Sequence, residues 1–209
     1  MRGFNINEFK AKTSTGIMRN NKFLVEIPMP ASIQLNNNST DRQILNETNR
    51  NLQFYCDSTA IPGIALLVSD VRNFGYGPSE KKPYNAVFTD LPLTFISDGL
   101  GENLQFFQEW LRSIVNYDLR ETMTGQNSTY GLAPYELNYK TDYAVEMKIY
   151  VYTEQGDEII KLTLAEAYPI FVGDIALNWA DTNSFARVPV NFTFITWWNE
   201  KVSYLPSTN

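Results

Sequence analysis

The sequence predicts a mainly β fold with one amphipathic helix packed on a sheet, and three features predict it. Of its 209 residues, 14% are aromatic, with 12 Tyr, 13 Phe and 4 Trp, and pleated strands hold large flat side chains well. Several stretches alternate, most clearly "YAVEMKIYVYT". There Tyr143, Val145, Met147, Ile149 and Val151 take one face, and Glu146, Lys148, Tyr150 and Tyr152 take the other. Helical spacing is clear in "ENLQFFQEWLRSIV" alone (Glu102–Val115). A chain of this size hides roughly 70% of its unfolded surface and needs no staples. With no internal repeat and no linker, it reads as one domain over 1–209.

The elements follow in order. Residues 1–20 are polar and aperiodic, an N-terminal arm. "KFLVEIPMP" (Lys22–Pro30) is a strand ended by prolines. The Asn-rich residues 31–51 form a long loop or insertion. "LQFYCDS" puts Leu52, Phe54 and Cys56 on one face of a half-buried strand. Ile61-Pro62-Gly63 turns, "IALLVSDVRNF" runs extended, and "GYGPSEKKPY" (Gly75–Tyr84) is a loop before a strand over Asn85–Ser97. In the helix, Leu104, Phe107, Leu111 and Ile114 make the apolar stripe, widened by Trp110 and Val115; Asp98 or the nearby glycines start it. Residues 116–142 are a second long excursion.

After the alternating strand, Glu154–Asp157 with Gly156 is a hairpin turn, and "IIKLTL" returns. "AYPIFVGDIALNW" (Ala167–Trp179) is nearly all apolar and bends at Gly173-Asp174, with Ile175, Leu177 and Trp179 in phase beyond. In "RVPVNFTFITWWNE", Val188, Val190, Phe192, Phe194, Thr196 and Trp198 share one face. Ile195 and Trp197 then fall on the face where Asn191 and Thr193 meet water. Apolar groups there point to burial against the helix or another subunit. Pro189 places its strand at a sheet edge, or its own end of the strand outside the ladder. Residues 199–209 are a C-terminal tail. The total is seven or eight strands.

The chain is poor in chemistry. It has no histidine, so the commonest general base and metal ligand are absent. Cys56 is the single cysteine and reads as a buried, inert thiol. No P-loop occurs, "GLGEN" lacks the third glycine of a dinucleotide fingerprint, and no His can activate Ser128. Asp157-Glu158 could in principle serve a glycosidase, but adjacent acids in a hairpin turn read as solvated charges. We therefore expect no enzyme, no catalytic residues, no cofactor and no metal. A net charge of −6 argues against a duplex-binding protein, which is normally basic. Trp197-Trp198 raises a carbohydrate-binding β-sandwich, yet adjacent strand residues face opposite sides and make no shared platform. The N-terminal residues lack a signal-peptide core, and no stretch approaches the roughly 20 apolar residues that span a bilayer. A cytoplasmic protein without a membrane anchor is expected.

"EAYPIFVGDIALNWADTNSFARVPVNFTFITWW" (Glu166–Trp198) resembles the closing region of tail tube proteins from T-even-like contractile-tailed bacteriophages. "CDSTAIPGIAL" (Cys56–Leu66), "VRNFGYGPSEKKPYNAVFTDLPLTF" (Val71–Phe95) and the helix are similar to that family in the same order, with insertions, over Lys22–Trp198. The resemblance implies a β-barrel-like sandwich of antiparallel strands with a flanking helix. It implies hexameric rings stacked into the hollow inner tube of a contractile tail, a channel for DNA ejection. Its partners would be further copies of itself, the tail sheath outside, baseplate and terminator proteins at the ends, and genomic DNA in transit. The virion tail would be its location and the host bacterial cytoplasm its place of assembly. Arg72, Tyr76, Lys81, Lys82 and Tyr84 would make inter-ring contacts, Ile195 and Trp197 an intersubunit apolar face, and Glu146 and Asn191 the lumen. A baseplate-proximal tube initiator of the same fold is the alternative.

Overall fold

A computed structural model of the chain describes residues 6, 18–36, 50–72, 75–117, 132–180 and 184–201. Its main sheet runs β1 (Phe23–Glu26), β6 (Val145–Tyr152), β7 (Glu158–Val172), β8 (Arg187–Thr193), β5 (Leu91–Ile96), β2 (Cys56–Thr59), all antiparallel, with β9 (Thr196–Lys201) also paired to β7. A separate hairpin joins β3 (Ile64–Val71) to β4 (Glu80–Phe88).

The 15-residue β7 organises the sheet. It pairs with β9 over Ile160–Ala165 and with β8 over Tyr168–Val172. Between these halves Glu166 sits at φ 52, and the β6 register jumps from Met147↔Leu164 to Val145↔Ala167. Such a bulge bends a strand and sharpens its twist. At the same level the chain breaks between β8 and β9, where the Ile195 N–H donates to the Ala165 carbonyl at 3.1 Å. Two portions result, β1-β6-β7-β9 and β7-β8-β5-β2, sharing β7.

Their inward faces share one core. Val25, Met147, Ile149, Leu162 and Leu164 from the first portion join Leu93, Phe95, Val188, Val190 and Phe192 from the second. The helix α2 (Glu102–Ile114) closes the core with Phe106, Phe107 and Trp110; α1 (Ala31–Asn36) and α3 (Lys140–Tyr143) pack beside it. Ring centroids lie 4.8 Å apart for Phe95–Phe107 and 5.6 Å for Trp110–Phe192, pairs that add roughly 0.5–1.5 kcal/mol each beyond area burial. The Trp110 indole N–H donates to the Tyr143 carbonyl at 2.9 Å, so its polar atom is satisfied. Both candidate starts of α2 operate. Gly101 is the N-cap at φ 73, a conformation glycine adopts without steric cost, while the Asp98 carboxylate accepts from the Asn103 N–H at 3.3 Å.

The structure agrees with the sequence on β1, α2, the alternation of β6 and the Gly156 turn, and it corrects several other elements. The expected loop 31–51 opens with α1, and of the expected strand "LQFYCDS" residues 52–55 are helical while Cys56–Ser58 are extended in β2; Leu52 is buried while Phe54 points outward. Tyr143 ends a helical turn instead of starting a strand. The loop Gly75–Tyr84 is half strand, since β4 begins at Glu80. Leu177 and Trp179 are exposed and outside any strand. The apolar stripe of α2 is rotated toward Phe106, Phe107 and Trp110, leaving Leu104 and Leu111 half-buried. β9 reaches Lys201, so residues 199–201 belong to the sheet. β8 is interior, between β5 and β7. Pro189 is tolerated because β7 ends beside it, its carbonyl accepting from the Gly173 N–H at 2.7 Å. The rest of the N-terminal arm, residues 37–49 and 118–131, and the tail from 202 lie outside the described residues.

Candidate assembly surfaces

The β3–β4 hairpin continues the β2–β5 pair. Thr59 faces Leu93 and Ile64 faces Phe88, a constant register carried through the link by the Thr89 N–H donating to the Gly63 carbonyl at 3.3 Å. The proximal half of this ribbon buries Leu91, Leu93 and Phe95. The distal half carries the same kind of residue into solvent. Ile64, Leu66 and Val68 alternate on one face of β3, and Leu66 is 62% exposed. Among the described residues the base is seated through Phe88 against Phe194 at 6.0 Å. An exposed ribbon this apolar has open backbone edges and a face without a partner, the combination that drives pairing with another chain.

At its distal end the ribbon is charged. Asp70 is in register with Lys81, and Lys82 lies 3.7 Å from Glu80. Tyr76 stands between Gly75 at φ 75 and Gly77 at φ 89 and is 80% exposed; two residues in the left-handed region shape a turn that thrusts one ring outward.

The outward face of β1-β6-β7-β9 is different. Glu146 and Lys148 pair at 3.4 Å, Lys161 pairs with Glu200, and Thr163 donates to Glu200 at 3.1 Å. Tyr150 donates to Glu26 at 2.9 Å and stacks on Tyr152 at 6.4 Å. Burial, then the Glu26 hydrogen bond, raise the Tyr150 phenol above its ordinary range. The hydrogen bonds from Lys161 and Thr163 hold Glu200 below the usual carboxylate value, and the same Lys161 bond raises the ammonium. The two side edges of this portion, β1 and β9, each pair on one side among the described residues.

The predicted site residues separate. Arg72, Tyr76, Lys81, Lys82 and Tyr84 all lie on the distal ribbon, the last three on β4 rather than in a loop. Glu146 is on the charged outward face, whereas Asn191 lies across the β7 bulge beside Phe171 and Pro92. Ile195 and Trp197 do not share a face. The break at Phe194–Ile195 shifts the phase of the last strand, so Trp197 packs on the core and Trp198 turns outward. The Trp197 indole nitrogen is buried without a hydrogen-bond partner among the described residues. Nothing in "FTFITWW" marks that break. Cys56 is half-buried, and burial followed by the neighbouring Asp57 pushes its thiol up to about 12.

Sequence reasoning missed a groove of about 370 Å³ between α2 and the end of β7, lined by Leu104, Gln108, Leu111, Tyr117, Val172 and the turn Gly173-Asp174-Ile175. Leu104 and Leu111 belong to the predicted stripe; only the rotation of α2 frees them to line it. Among the described residues no group of three or more His, Cys, Asp or Glu is placed to hold a metal ion, and no helix is long and apolar enough to cross a membrane.

Residues 18–200 match the family described as phage tail tube protein. No curated protein matches the chain by sequence. Among solved structures it is similar to a chain of the sheath-tube complex of an extracellular contractile injection system, PVC, at TM-score 0.55 and 12% identity, covering 96% of this chain and 100% of that one. It is also similar to a chain of the tube-terminating cap of the anti-feeding prophage, at TM-score 0.56 and 12% identity over 89% and 92%. A chain of the anti-feeding prophage baseplate is similar at TM-score 0.51 and 14% identity over 90% and 97%.

Proposed function

The chain belongs to the phage tail tube protein family, and from that premise we propose that it polymerises as stacked hexameric rings into the inner tube of a contractile tail, the channel for DNA ejection. The observation that carries the reading is the distal ribbon, whose exposed Ile64, Leu66 and Val68 are costly in a monomer and are covered by a neighbouring copy in an assembly. Ring contacts of this heterologous kind close by rotation, while stacking contacts stay open and give a filament.

The four-stranded portion β1-β6-β7-β9 lines the bore. Its open edges meet between neighbours, β9 of one copy beside β1 of the next, which removes the edges altogether. Six copies supply about 24 strands, which at a spacing of about 4.8 Å give a backbone diameter of about 37 Å. A strand tilt near 40° widens this to about 48 Å. Side chains reaching about 5 Å inward, half the separation of stacked sheets, leave a bore of roughly 27–38 Å, wide enough for a duplex. On that face Glu26, Glu146 and Glu200 outnumber Lys148 and Lys161, and both lysines are already paired. A wall of this sign releases no counterions to phosphates and lets DNA slide. Trp197 belongs to the core, so Ile195 carries the apolar contact near the last strand, while Trp198, in register with Thr163, shares the bore face with Glu200. The sheath would lie outside, with baseplate and terminator proteins at the ends and assembly in the host cytoplasm.

Similarity to a baseplate chain favours a second reading, the ring that starts the tube. Copy number in particles separates the two, many rings against one. Electron microscopy of the purified protein tests the main reading: rings or tubes with an axial channel are expected, and Leu66→Asp should abolish them while leaving a folded monomer. A wild-type chain that stays monomeric at high concentration refutes it.

A further inference from the structure

The distal ribbon and the α2 groove are complementary in shape and in charge. Tyr76 is a single aromatic knob held out by two left-handed glycines. Among the described residues, the Arg72 side chain beside it has no hydrogen-bond or ion-pair partner; with Lys81 and Lys82 it makes three cations against Asp70 and Glu80 at that end. The groove is apolar along Leu104, Leu111 and Val172, and its mouth carries one carboxylate, Asp174, which likewise has no partner among the described residues. A volume of about 370 Å³ holds roughly a dozen waters at about 30 Å³ each, and displacing them from apolar walls by an aromatic ring is favourable.

We propose that Tyr76 of one copy seats in the α2 groove of a second copy, with Arg72 paired to Asp174 at the mouth. The inference rests on the tube reading above and names the contact that reading leaves open. A knob and a hole on different parts of one chain make a heterologous joint, which propagates from copy to copy. The ring supplies buried area, and the Arg72–Asp174 pair fixes register and rejects like-charged approaches. Lys81 and Lys82 are then flanking charges: Lys82 is engaged by Glu80 and Lys81 sits opposite Asp70.

A reciprocal charge swap tests this. Wild type, Arg72→Glu, Asp174→Arg and the double variant are compared by analytical ultracentrifugation and negative-stain microscopy at low salt. Both positions changed are exposed, and circular dichroism checks that each variant folds. Each single variant should raise the concentration needed for assembly by roughly tenfold or more, and the double variant should recover most of that loss. Independently, Tyr76→Cys combined with Gln108→Cys should give a disulfide-linked ladder of copies on oxidation, while either change alone gives none. Single variants that assemble like wild type, or an absent ladder in assembled material, overturn the docking site and leave the tube reading standing. A wild type that never assembles overturns both.

Discussion

Gly173 is the position where one methyl group should be felt most. A Cβ there would lie 2.6 Å from Pro189 Cγ and 3.0 Å from Phe171 Cε1, against about 3.5–4.0 Å for a relaxed carbon contact. The overlap is about 1 Å, and neither side can retreat. The Gly173 N–H is bonded to the Pro189 carbonyl at 2.7 Å, and Pro189 is in register with Thr94 on its other side. Overpacking of this kind costs about 1–3 kcal/mol, and losing the strand bond adds about 1 kcal/mol. Replacing Gly also stiffens the unfolded chain and returns about 0.5 kcal/mol. Gly173→Ala should therefore destabilise by about 2–3 kcal/mol. With a urea slope of about 2–3 kcal/mol/M the midpoint should fall by roughly 1 M. Pro189→Ala removes the clashing carbon, so the double variant should be more stable than additivity allows, with a coupling of at least about 1 kcal/mol. An unchanged midpoint for Gly173→Ala, or strictly additive variants, would refute the close approach.

Three further outcomes follow from the same geometry. Trp110→Ala removes a fully buried ring and the bond to Tyr143 and should cost about 3–5 kcal/mol in chemical denaturation; a loss under about 1 kcal/mol would contradict its place in the core. The Cys56 thiol, pushed up to about 12, should resist iodoacetamide at pH 8 in the folded protein and react in urea, and rapid native labelling would contradict its burial. Glu200 is held below its ordinary 4.5 and Lys161 above its ordinary 10.5. The stabilisation from Glu200 is present above pH 4.5 and fades as pH falls through the folded value. That from Lys161 is present below pH 10.5 and fades as pH rises through its folded value. Melting temperatures of wild type and Glu200→Gln should differ at neutral pH and converge toward both extremes; a difference independent of pH would contradict the pairing.

Much of this fold was legible because its signals were local. The β6 alternation, the Gly156 turn and the apolar period of α2 are each read within a dozen residues. The errors arose where a distant partner decided the outcome. Residues 52–55 look extended in sequence, but Leu52 is buried in a helical turn. The phase slip before Trp197 is set by the Ile195 bond to Ala165, thirty residues away in sequence, and no residue type announces it. Glu166 takes a left-handed φ with its carboxylate 2.6 Å from the Lys140 ammonium, an arrangement glutamate's own preferences would not suggest. For the assembly surfaces, the Gly-rich tip around Tyr76 was visible. The groove was not, since Leu104 and Val172 lie far apart in the chain and meet only through packing.

The most direct measurement is a cryo-electron microscopy reconstruction of the particles formed by the purified chain. The account predicts six copies per ring, with β9 of each beside β1 of the next and Glu146, Lys148 and Tyr150 facing an open axial channel. A reconstruction with that face turned to the outside, or a sample holding single copies alone, would contradict it.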